Sequence, residues 1–235
     1  MKNQKTVIFL LVLPVFLLMG FSCHYPRNGE DEERAIVVAD FDKLEVKGSF
    51  TIVLEQASEP GVTIRALPES IETVTVFNDS VSGRLEISRD KFSLNSPELH
   101  IRFRKLEQLH IEGGTSLQTE GYIEVDDLAV SVEGGGHIIF KLKANKLELR
   151  GEGGVVYELE GVCRNLNSSL YGASYLKGSD LIVDSAEVRI EGMGVASIQV
   201  NSYLQAKLKG MGKITYLGDP DVVQSIEGLG QIRRE

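Results

Sequence analysis

The sequence predicts an all-β protein, a single-stranded parallel β-helix (β-solenoid) with coils of about 19 residues. Three observations predict it. After residue 35 the chain carries short apolar/polar alternations, such as LEVKGSFTIVLEQ (44–56) and LAVSVEGGGHIIFKLK (128–143), in place of amphipathic helices. A period of two belongs to strands with one face on a core. Glycine clusters recur, with first members Gly113, Gly134, Gly153, Gly172, Gly192, Gly210 and Gly228 spaced by 21, 19, 19, 20, 18 and 18 residues. A steady period near twenty is the sign of stacked repeats. Apolar residues also keep one phase against these glycines. Two positions before them come Ile111, Val132, Leu170, Ile190, Leu208 and Ile226; four after come Leu117, Ile138, Tyr157, Leu176, Ala196, Ile214 and Ile232. Even offsets are therefore expected to point inward and odd ones outward, so that stacked coils share one core.

In chain order, Lys2 and Lys5 precede an apolar run at 7–20. The run is too short to cross about 30 Å of hydrocarbon, and Pro14 interrupts it. It reads as a signal peptide. Gly20-Phe21-Ser22-Cys23 follows and resembles a lipobox, although Gly20 stands where Leu is usual. The expectation is a lipoprotein signal peptide over 1–22, cleavage before Cys23 and acylation of its thiol. Residues 23–35 then form a lipidated Cys with a flexible tether, and 36–235 the β domain. Losing the two lysines takes the net charge from −9 to −11. An acidic chain without a basic cluster is a poor nucleic-acid binder.

The segment 41–56 aligns as a coil on Gly48, with Val46 before it and Ile52 and Leu54 after it. Residues 57–105 hold further strands, VTIRAL (62–67), ETVTVF (72–77), GRLEISR (83–89) and ELHIRFR (98–104), separated by longer loops at Pro60, Pro68, Asn95 and Pro97. The opening FDKLEVKGSFTIVLEQ, the strand VTIRAL and the recurrent LxIxGxG units together resemble the family called putative auto-transporter adhesin, head GIN domain, over about residues 36–233. The resemblance implies a parallel β-helix in a bacterial envelope and supplies no catalytic residues.

The chemistry-bearing residues are few. The glycine clusters lack the helix and the Lys-Ser/Thr of a phosphate loop, so they are corners. Glu112, Glu133 and Glu152 directly precede three of the corners, and an in-register stack would place them in one column. Like charges so aligned repel. Either a cation such as calcium relieves them, or neighbouring bases such as Arg150 do. The Asp residues scatter without a shared register, and His24, His100, His110 and His137 form no motif. Cys163 has no partner if Cys23 carries lipid, and it reads as a small core residue. Met193, Met211 and Leu229 occupy an outward offset inside three successive clusters, so they are candidates for an interface ridge.

These readings imply a non-enzymatic exported lipoprotein serving adhesion, ligand binding or envelope structure. The alternative is a carbohydrate-active lyase or hydrolase of the β-helix type. The expected partners are the membrane, through the anchor, and an envelope glycan or protein. A second copy is also expected at the C-terminal end, where an uncovered last coil would invite pairing. No cofactor is expected, and the outer membrane is the favoured location.

Overall fold

A computed structural model gives the structure of residues 30–89 and 96–235. The signal peptide and Cys23 lie outside these described residues. The fold grows from the corner at Gly48. β2 (Lys43–Lys47) and β3 (Phe50–Gln56) run on either side of it, burying Leu44, Val46, Phe50, Ile52 and Leu54. β8 (Gln108–Thr119) lies parallel along both, pairing Val46 with Ile111 and Ile52 with Leu117. The long segment β9 (Ile123–Leu217) pairs parallel with β8, and β10 (Asp221–Arg234) pairs parallel with β9.

The glycines explain the close stacking. Gly134 has a φ of 115°, and a Cβ on it would lie 2.6 Å from the carbonyl oxygen of Gly113. The same approach joins Gly113 to Gly48, and each later first glycine of a cluster to the one before it. Only a residue without a side chain meets both demands, positive φ and backbone contact. The period-two pattern then sets the core. Ile111, Val132, Leu147, Tyr157, Leu170, Ile190 and Leu208 are each at most 1% exposed. On the last strand the pattern weakens: Ile226 is 42% exposed, while Ile232 remains buried.

The far side of β2 and β3 is organised differently. β6 (Arg84–Arg89) pairs parallel with β2, and β5 (Val74–Asp79) pairs antiparallel with β6. β7 (Glu98–Phe103) pairs parallel with β3; β4 (Gly61–Ala66) and then β1 (Glu32–Val37) add antiparallel strands beyond it. Among the described residues one short helix, α1 (Pro68–Ile71), buries Ile71. No helix among the described residues is long and apolar enough to cross a membrane.

The expected single-stranded parallel β-helix is therefore corrected. The protein is all-β, but its strands form one mixed sheet of parallel and antiparallel pairs, curled into a half-barrel. The reason lies in residues 57–105. A tight corner needs glycine, and none occurs between Arg84 and Phe103. Arg89 stands over Gly48 instead, its carbonyl oxygen 3.1 Å from where a Gly48 Cβ would be. β6 and β7 are consequently separate strands, and each is completed by an antiparallel neighbour. The turn into β6 favours this reversal: the Val81 amide donates to Asp79 Oδ1 at 3.0 Å, and Gly83 takes a φ of 66°.

Candidate functional site

The corner clusters present the most distinctive outward surface. In Gly210-Met211-Gly212 both glycines are held against the preceding repeat, since Cβ atoms on them would meet Gly192 and Gly194 carbonyl oxygens. The side chain between them is left to point outward. Met193, Met211 and Leu229 repeat this arrangement and are 59%, 52% and 75% exposed. Leu229 stands directly beside Met211 in the parallel register. Tyr175 and Val195 extend the strip, and together with Ala173 these groups line one shallow open depression. Contiguous exposed apolar surface of this kind is uncommon without a contact to serve.

The glutamates before the corners are arranged differently. Glu112 and Glu133 face each other across β8 and β9. Glu152 receives a charge-assisted hydrogen bond from Arg150 Nε at 2.8 Å, and the same guanidinium lies over the Tyr171 ring. Elsewhere charges alternate between repeats. Glu158 accepts from Lys177 at 2.9 Å and lies 2.9 Å from His137 Nε2. Those two contacts, Lys177 first, hold its carboxyl below the usual range. Such exposed pairs contribute little stability each, and they leave the outer face wet and mixed in charge.

Two buried groups are strongly displaced from their ordinary titration, and burial is the main cause in both. Tyr157 is fully buried and donates from its hydroxyl to the Arg150 carbonyl at 3.0 Å; desolvation raises its pKa. The Cys163 thiol is pushed up to about 11 by burial and lies 3.2 Å from the Asn165 carbonyl oxygen. A thiol so raised is almost wholly protonated at neutral pH and is a poor nucleophile. Both groups serve packing. His110 stands opposite Glu45, while His100 lies between Glu55 and Glu120. Sequence reading passed over that last grouping, because its three residues come from segments separated along the chain.

The described residues thus form a curled β scaffold with a charged outer face and an apolar strip at its corners. The chain belongs to the family described as "putative auto-transporter adhesin, head GIN domain", whose profile matches residues 40–220. No curated protein matches it. Among solved structures, a putative adhesin from Bacteroides fragilis NCTC 9343 is similar at a TM-score of 0.83 and 20% identity, covering 88% of this chain and 97% of its own. A putative lipid binding protein from Parabacteroides distasonis ATCC 8503 aligns at 0.71 and 20% identity, covering 88% and 98%. A putative adhesin from Parabacteroides merdae ATCC 43184 aligns at 0.70 and 19%, covering 88% and 97%. At these identities the likeness is one of fold. The family assigns an adhesin-like role, with the envelope or cell surface as its setting.

Proposed function

We propose that this chain is an exported lipoprotein, anchored through Cys23, that binds partners at the cell envelope without catalysing a reaction. The observation that carries the binding role is the strip of Met193, Met211 and Leu229, flanked by Tyr175 and Val195. Each of its three central side chains is held outward by glycines that cannot be replaced without steric conflict. The family's adhesin-like role supports the reading. The basic start, apolar run and Ser22-Cys23 support the anchor, with the outer membrane as its favoured site.

The anchor is tested by Cys23→Ser. This variant is expected to leave the membrane fraction or to accumulate unprocessed. If it stays with membranes as the wild type does, the lipid anchor is wrong.

The strip is tested by Met211→Glu, which places a charge at its centre while leaving the buried core untouched. The partner expected there is a second copy of this chain. Among the described residues β10 pairs with β9 alone, and it carries exposed Val223, Ile226 and Leu229, of which Leu229 belongs to the strip. Unpaired strand edges with apolar neighbours recruit further strands. Sedimentation equilibrium of residues 30–235 should show self-association that Met211→Glu weakens, with the circular dichroism spectrum unchanged. A wild type that stays monomeric at high concentration removes the homotypic contact and leaves the strip to an envelope protein or glycan.

A further inference from the structure

We propose that Glu55, His100 and Glu120 form a binding site for a divalent transition-metal ion, with Zn²⁺ the best chemical match. The three residues come from β3, β7 and the position just past β8, and meet on the outward face where the antiparallel arm joins the first repeat. Register places them there. Val53 pairs with His100, so Glu55 is its diagonal neighbour on the same face. The Glu120 amide donates to the Leu54 carbonyl at 2.8 Å, which carries the β3–β8 pairing one step further and sets Glu120 beside Glu55.

The geometry is that of ligands around a missing centre. His100 Nε2 lies 3.1 Å from Glu55 Oε2 and 3.2 Å from Glu120 Oε2. One ligand atom from each residue falls within 4.8 Å of the others. Yet this nitrogen is shielded from solvent and makes no hydrogen bond. At such distances that means the oxygens stand off the axis along which the ring donates or offers its lone pair. A proton needs its acceptor on that axis. A metal ion needs the opposite arrangement: it takes the axis itself, with the other ligands to the side. For Zn–N and Zn–O bonds of about 2.0–2.2 Å, two ligands of a tetrahedral ion are separated by about 3.3 Å. The observed spacings fit that edge.

The electrostatics point the same way. Two carboxylates lie side by side, and like charges on neighbouring strands repel. The base opposite Glu55 in the ladder is Arg102, but its guanidinium lies over Gly61, where a Cβ would come within 2.8 Å of Nη2. One imidazole and two carboxylates make a borderline donor set suited to zinc rather than to calcium, which takes oxygen alone. The side chains of His100 and Glu55 are about two-thirds shielded, at 37% and 34% exposure, while Glu120 at 60% leaves an entry path and room for a water on the metal. Bound there, the ion would tie β7 to β3 and β8.

The test uses the untagged full chain, stripped with EDTA and dialysed, then titrated with ZnCl₂ in a calorimeter and melted with and without the ion. Saturation at one Zn²⁺ per chain and a higher melting temperature are expected, because the ion binds the folded state. His100→Ala should abolish both effects with its circular dichroism unchanged. Glu120→Gln, at the most exposed of the three positions, should weaken binding about tenfold or more and tests the site even if His100→Ala disturbs the sheet. His137→Ala, away from the site beside Glu158, should bind as the wild type does. No saturable zinc binding by the wild type, or wild-type affinity in both His100→Ala and Glu120→Gln, overturns the proposal.

Discussion

Gly134→Ala is expected to destabilise the chain by on the order of 3 kcal/mol, while Gly135→Ala, one residue further on, leaves stability unchanged or slightly raised. The two glycines differ in what surrounds them, not in exposure to chemistry. Gly134 holds a φ of 115°, and its Cβ would stand 2.6 Å from Gly113 O. The backbone there pairs on both sides, so neither strand can retreat without opening the next corner. Strain in this region of φ alone costs about 1–3 kcal/mol, and the overlap adds to it. At Gly135 nothing lies within 4 Å of a Cβ, and φ is not positive. An alanine there narrows the unfolded ensemble without a native conflict, worth up to about 1 kcal/mol. Thermal melting checks both. In a chain of this size 1 kcal/mol moves the midpoint by about 2–4 °C, so the Gly134 variant should fall by roughly 6–12 °C. Equal melting of the two variants would show that the corner tolerates a side chain.

Leu147→Ala should cost about 2–5 kcal/mol, the range for removing a buried leucine and leaving a cavity. Leu147 is fully buried, six residues before the corner at Gly153, in a core that also holds Leu149, Leu166 and Tyr157. Stacked repeats cannot collapse around one missing side chain without disturbing register on both sides, which argues for the upper part of that range. Lys177→Ala at an outward position is the counterpart. Its ammonium meets Glu158 at 2.9 Å, but 48% of the side chain is exposed. An exposed pair of this kind contributes little stability. Urea titrations of both variants measure the contrast, and similar midpoints would remove the basis for assigning inward and outward positions.

Much of this contrast was readable beforehand. Ile138, Tyr157, Leu176 and Ala196 share one offset from their glycines, and all are buried. The strands expected at 62–67, 72–77, 83–89 and 98–104 appear within a residue or two as β4, β5, β6 and β7. The reach of the repeat was overstated, because local alternation carries no sign of whether a neighbour runs parallel or antiparallel. Arg84–Arg89 and Glu98–Phe103 alternate as well as any repeat, yet each receives an antiparallel partner. The grouping of Glu55, His100 and Glu120 was equally hidden. Each looks like an ordinary outward polar residue, and only the pairing of β3 with both β7 and β8 turns three solvated positions into one cluster.

The sequence by itself determined the strand content, the side each residue faces and the corners at which repeats meet. Those properties follow from local physics: a two-residue pleat, and a positive φ that a Cβ resists. The same local rules set the Met193, Met211 and Leu229 strip outward before any neighbour is considered. Tertiary structure decided how the first repeat is covered. Without glycine between Arg84 and Phe103 the chain could not turn another tight corner over Gly48, so antiparallel strands closed that side into a curled mixed sheet. Direction of pairing depends on how far the chain travels before it returns, a property of loops and packing that no short window of residues contains.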